Sequence, residues 1–132
     1  MRQVTKLMIN EFAIKEKGID FMGYELQEKD IHTFHHLLIP NRVGGPYARW
    51  NGAILCHDSS HAYLHLIEAK DLDMFCYLTS EMIDINHKGY LDLSNLRCIH
   101  DLLEQFEKEF CGASNKHGKP LIKEVYTKRP KL

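Results

Sequence analysis

An α+β fold, with a β-hairpin and a helix set among further α-helices, is what this 132-residue chain predicts. Three observations carry that expectation. A β-branched and aromatic stretch, Ile31 to Ile39, runs into Pro40, a glycine turn and a short apolar return segment, which is the pattern of two strands. The segments on either side repeat apolar residues at helical spacing. The length suits one compact domain, able to bury roughly two-thirds of its unfolded surface without a disulfide or metal staple.

In chain order, Val4 to Lys17 places Val4, Leu7, Met8 and Phe12 on one helical face, with Gly18 as the stop. Ile19 to Tyr24 is short and apolar around Gly23, without a clear period. Ile31 to Ile39 reads as a strand, Asn41 to Pro46 as a turn whose paired glycines permit positive φ, and Ala53 to Cys56 as the return strand. Asp58, Ser59 and Ser60 offer N-cap side chains for a helix to about Ala69. A second helix spans Leu72 to Asn86, with Leu72, Phe75, Cys76, Met82 and Ile83 on one stripe, and ends near Gly89. A third starts at Asp92 or Ser94, carries Leu96, Ile99, Leu102, Leu103, Phe106 and Phe110 on its apolar face, and stops at Gly112. The organisation is one domain over residues 1–132: a core segment 31–69, a helical scaffold 2–17 and 71–111, and a C-terminal arm 112–132.

Composition narrows the class. Hydrophobic content of 44% and charged content of 27% exclude a disordered, low-complexity chain. No apolar run reaches the roughly 18–20 residues of a membrane span, and no secretory signal pattern opens the chain, so a cytoplasmic protein is expected. Cys56, Cys76, Cys98 and Cys111 form no C-x-x-C pair and are expected as reduced thiols, mostly in the core. Net charge is −1, but residues 112–132 hold six Lys and Arg against Glu124, a local +5 on a body of −6. That asymmetry suits an arm for a polyanion, or a solvated terminus. A short apolar patch in the arm, Leu121, Ile122, Val125 and Tyr126, would let it dock on the body.

Histidine is the informative residue. Six of the nine (His32, His35, His36, His57, His61 and His65) fall within residues 32–65. His61 and His65, at i and i+4 on a helix, project from one face and can share an ion. His35 and His36, neighbours on a strand, point to opposite faces unless the strand bulges, and one of them would complete a three-histidine site. The fourth coordination position left open is the mark of a catalytic rather than a structural metal.

The segment His35 to His65 resembles the HNH endonuclease motif, the ββα-metal fold. A His-His pair, Pro40, Gly44-Gly45, an asparagine (Asn51) at the second strand, and His61 and His65 on the following helix occur in the order of that motif. The resemblance covers about a quarter of the chain, and is to the all-histidine metal-site subtype. Three residues separate His36 from Pro40 where many such motifs have two, which a local bulge would absorb. The flanking thiolate pairs of many members are missing.

The resemblance implies that His36 is the general base, that His35, His61 and His65 hold one divalent metal ion, and that Asn51 braces the loop between the strands and helps orient the base. Three imidazoles suit zinc, nickel, cobalt or manganese better than magnesium, although magnesium stays open. The implied activity is metal-dependent hydrolysis of a phosphodiester in nucleic acid, with double-stranded DNA favoured over RNA and no membrane partner. A neutral imidazole as base predicts activity falling below about pH 6–6.5. Arg42 and Arg49 flank the glycine loop and are candidate phosphate contacts. A double-strand break made with one site per chain favours a homodimer or repeated binding. Trp50 reads as a core anchor, His32 and His57 as surface residues, and His87, His100 and His117 as incidental. Two other classes compete: a nucleic-acid-binding module that keeps a structural metal in an HNH-like fold, and a metal-independent interaction protein.

Overall fold

The computed structural model describes residues 1–28, 31–110 and 130. The fold is α+β: five α-helices and a small antiparallel sheet among the described residues. The helices are α1 (Gln3–Glu11), α2 (Ile14–Lys17), α3 (Ala62–Lys70), α4 (Leu72–Lys88) and α5 (Leu93–Phe110). The strands are β1 (His32–His36) and β2 (Gly52–Cys56), joined by a loop with two 3₁₀ turns, Asn41–Val43 and Arg49–Asn51. No described helix is long and apolar enough to cross a membrane.

The single helix expected over 4–17 is broken. Phe12 and Ile14 lie about 200° apart on a straight helix, so only one could face the core. Ala13 instead adopts φ 51°, a left-handed conformation unusual outside glycine, and both neighbours become buried. Phe12 then packs its ring 4.6 Å from that of Phe21. Gly18, at φ 70°, ends α2 as the sequence predicts.

The hairpin keeps a regular ladder from His32↔Cys56 to His36↔Gly52. The expected bulge is therefore absent, and the additional residue before Pro40 is taken up beyond the strand. The strand itself ends at His36 rather than Ile39. β2 is buried along its whole length, covered by helices as well as by β1. Gly52 is needed there, since a Cβ would lie 2.1 Å from the Phe34 ring.

Downstream of β2 the expected N-cap does not form. Residues His57–His61 make one π-helical turn leading into α3, and no side chain caps it. Asp20 explains that geometry. Its buried carboxylate accepts the N–H groups of Met22 (2.9 Å) and Tyr24 (3.0 Å) on one oxygen. The other oxygen accepts the N–H of Cys56 (3.2 Å) and the hydroxyl of Ser60. Ser60 is thus pulled inward to the carboxylate rather than left to cap the helix. Burial holds the Asp20 carboxyl above the usual carboxylate range, against the four donors, which favour the anion.

Helix α4 is capped by Asp71, which accepts the Met74 N–H at 3.0 Å, and ends at Gly89 with φ 88°. Its buried stripe is Met74, Leu78, Met82 and Ile85, rotated from the expected one: Leu72 and Cys76 are exposed. Phe75 and Ile83 pack at the edge of the core. α5 buries Leu96, Ile99, Leu103 and Phe106 as expected, with Leu102 and Phe110 partly covered. Of the described cysteines only Cys56 is buried; Cys76 and Cys98 are exposed, against the core reading. Trp50 is 50% exposed, against the core-anchor reading. The arm, with its basic residues and apolar patch, and Cys111 lie outside the described residues.

Asp20→Ala strips four donors of their acceptor and is expected to cost about 2–4 kcal/mol of folding stability. Urea unfolding of the two proteins measures it; a loss below about 0.5 kcal/mol would contradict the pinning role.

Candidate metal centre

His35 is the inward residue of its strand pair, 4% exposed, and meets His61 and His65 across from the start of α3. One ring nitrogen from each of the three lies within 4.8 Å of the others, an arrangement that could hold a metal ion. His35 Nδ1 is 3.2 Å from His61 Nε2, and the ring centroids are separated by 4.9–5.4 Å. His61 and His65 converge because they are one helical turn apart. Among the described residues this group and a surface set on α5, His100, Asp101 and Glu104, have that geometry; only the first is buried at its centre.

The electrostatics favour ligation by neutral imidazole. Burial, then the neighbouring histidines, push His35 down to about 3; the same causes push His61 down to about 4. Both are uncharged in neutral solution, with lone pairs available to a cation. His35 Nε2 is buried with no hydrogen-bond partner, a polar group that the fold alone leaves unsatisfied. Two partners hold the helix histidines from outside: Thr33 Oγ1 is 2.7 Å from His61 Nδ1, and Glu68 Oε1 is 3.1 Å from His65 Nδ1. Such outer contacts are typical of metal-binding histidines.

His36 points to the other face of β1, as alternation requires, yet lines the same cleft of about 620 Å³ as His35, His61, His65 and Arg42. Its Nε2 lies 3.1 Å from the carbonyl oxygen of Gly45. A carbonyl only accepts, so Nε2 carries the hydrogen, and in the neutral ring the lone pair lies on Nδ1. The ring packs edge-on against Tyr47 at 4.6 Å and Phe34 at 5.0 Å, which fixes its plane.

The loop behind it is set by Asn51, which is fully buried. Its Oδ1 accepts the N–H groups of Leu38 and Ile39, both at 2.9 Å, and its Nδ2 donates to the carbonyls of Ile39 (3.0 Å) and Pro46 (3.1 Å). Asn51 therefore braces the loop. Its main-chain carbonyl also accepts the Leu37 N–H at 2.8 Å, next to His36. The chain doubles back so closely that a Cβ on Gly45 would lie 2.0 Å from the Ile39 oxygen. Gly44, at φ 85°, ends the 3₁₀ turn in the left-handed region.

Arg42 lines the cleft, but Arg49 does not. The Arg49 guanidinium is held by Glu11 at 2.6 and 3.1 Å and by Asn86 at 2.8 Å, tying the loop to α1 and α4. His57 is exposed and pairs with Asp58, while His32 is partly covered. Sequence reading missed Thr33, Glu68, Tyr47 and Arg2, whose guanidinium sits 3.5 Å above the Tyr47 ring. Glu68 was findable as the i+3 neighbour of His65, and Thr33 as the residue on the same strand face as His35. Nothing local points to Arg2 or Tyr47. Comparison with protein-family models, curated proteins and solved structures gives no match to this chain.

A histidine held below its unfolded value of about 6.5 sheds its proton on folding. Its contribution is complete above that pH and is lost as the pH falls toward the folded value. The metal-free protein is expected to lose stability between pH 7 and 5, with about 1–2 kcal/mol from His35. His35→Gln, which cannot charge, is expected to reduce the loss to the share that His61 contributes. Urea midpoints across that range decide it, and a flat wild-type profile would contradict the burial effect.

Proposed function

We propose that this protein is a metal-dependent HNH-type endonuclease that hydrolyses phosphodiester bonds of nucleic acid, with double-stranded DNA as the preferred substrate. The observation that carries the reading is the convergence, in one cleft, of a three-histidine cluster with a buried centre and a fourth histidine whose tautomer is fixed by a carbonyl. A purely structural metal site has no use for the fourth. Hairpin and following helix together correspond to a ββα-metal core, with β1 giving His35 and His36 and the helix giving His61 and His65.

His35, His61 and His65 would hold one divalent ion, for which zinc, nickel, manganese and magnesium are the candidates. When bound, such an ion polarises a phosphoryl oxygen and stabilises the leaving 3′ oxygen. His36 is the general base: its unprotonated Nδ1 takes the proton of the attacking water, and the Gly45 carbonyl stabilises the resulting imidazolium through Nε2–H. Asn51 touches no reacting atom; it holds the loop that carries that carbonyl. Arg42, on the cleft wall, is the phosphate contact. A homodimer would let two such sites cut both strands.

Plasmid incubated with protein and Mn²⁺, Mg²⁺, Ni²⁺ or Zn²⁺ is expected to be nicked or linearised, and EDTA to stop it. His36→Ala is expected to reduce the rate about 10²–10⁴-fold, the usual worth of a general base, while metal binding persists. Intact plasmid with every metal, together with a tightly bound ion, would instead favour the binding module with a structural metal.

A further inference from the structure

Thr33 touches the cluster from behind, and its two contacts constrain each other. Its Oγ1 is 3.2 Å from the carbonyl oxygen of Leu55 and 2.7 Å from His61 Nδ1. A carbonyl can only accept, and a hydroxyl has one hydrogen to give. Both contacts are hydrogen bonds only if the Thr33 hydroxyl donates to Leu55 and His61 Nδ1–H donates to the hydroxyl. The hydrogen on Nδ1 leaves Nε2 as the bare nitrogen, and Nε2 is the atom that faces His35 Nδ1 at 3.2 Å.

We propose that Thr33 is a positioning residue of the metal centre: its hydroxyl holds His61 in the Nδ1–H tautomer and so presents the Nε2 lone pair to a divalent cation. This deepens the reading above and rests on its metal site. The relay is anchored in the hairpin, because Thr33 and Leu55 are partners in the register of the ladder. One strand therefore does two jobs, giving His35 directly and aiming His61 through the residue two positions earlier on the same face. The Glu68 contact to His65 differs: it brings a carboxylate to a half-exposed histidine. Thr33 makes its contact from a partly buried position and adds no charge to the site.

Thr33→Val keeps the shape and β-branching suited to the strand and removes the hydroxyl; Thr33→Ser restores it. Zn²⁺ affinity of the full chain, by competition with a chromophoric chelator, is expected to fall about 10–100-fold in Thr33→Val and to return within about threefold of wild type in Thr33→Ser. Long-range ¹⁵N–¹H spectra of the metal-free proteins should place the His61 hydrogen on Nδ1 in wild type and Thr33→Ser, and lose that preference in Thr33→Val. Equal Zn²⁺ affinity in wild type and Thr33→Val, or a wild-type His61 carrying its hydrogen on Nε2, would overturn the proposal. Absence of Zn²⁺ uptake by wild type would overturn the metal site itself, while the metal-free spectra still decide whether Thr33 sets the tautomer.

Discussion

The Asp20 carboxylate is the constraint on which the rest of the structure depends. It is a charge-bearing group with no access to water, and it gathers donors from the turn after α2, from the end of β2 and from the π-helical turn. Burying such a group is costly unless its acceptor sites are filled, so the segments that fill them are held together. The direction of entry into α3 follows from Ser60 reaching that carboxylate. So does the side of the helix on which His61 and His65 emerge, and hence their meeting with His35.

A second polar anchor, Asn51, does for the loop what Asp20 does for the helix. The side chain supplies two acceptor bonds and two donor bonds to a stretch of chain that has no ladder of its own. That replaces regular secondary structure with one amide, and gives the Gly45 carbonyl a fixed position from which to orient His36. Arg49 and Asn86 lock the far end of the same loop to α1 and α4. The histidines thus sit on a strand and a helix, while the loop that completes the site is irregular chain held rigid by a few buried polar side chains.

This division explains what could be read in advance. The hairpin, the histidine pair on one helix face and the end of α4 at Gly89 follow from local rules: alternation, i and i+4 spacing, and glycine at positive φ; the asparagine came only with the resemblance to the HNH motif. The break at Ala13 does not follow from such rules, because it answers a demand of the core that two residues on opposite helix faces both be buried. The α4 stripe was misplaced for a related reason. Apolar residues occupy more than one face of that helix, and which face turns inward depends on neighbours distant in sequence. Arg49 looked free because its partners, Glu11 and Asn86, lie 38 and 37 residues away. Asp20 carried no local signal at all: its role exists only once three separate segments have come together.

The π-helical turn has a consequence for ancestry. A turn with i to i+5 bonding holds one residue more than an α-helical turn, so it accommodates an extra residue while the helix beyond keeps its direction. Each residue of an α-helix advances the side chains by about 100°. An extra residue in an unbroken α-helix would swing His61 and His65 by that amount, away from His35, and the wider turn takes it up instead. A relative that entered the same helix without the extra residue would carry its two ligands one place earlier in an ungapped alignment, at the positions that Ser60 and Leu64 occupy here. Kinship with such a protein would be visible in the superposed backbones, but only across a gap of one residue in the aligned sequences.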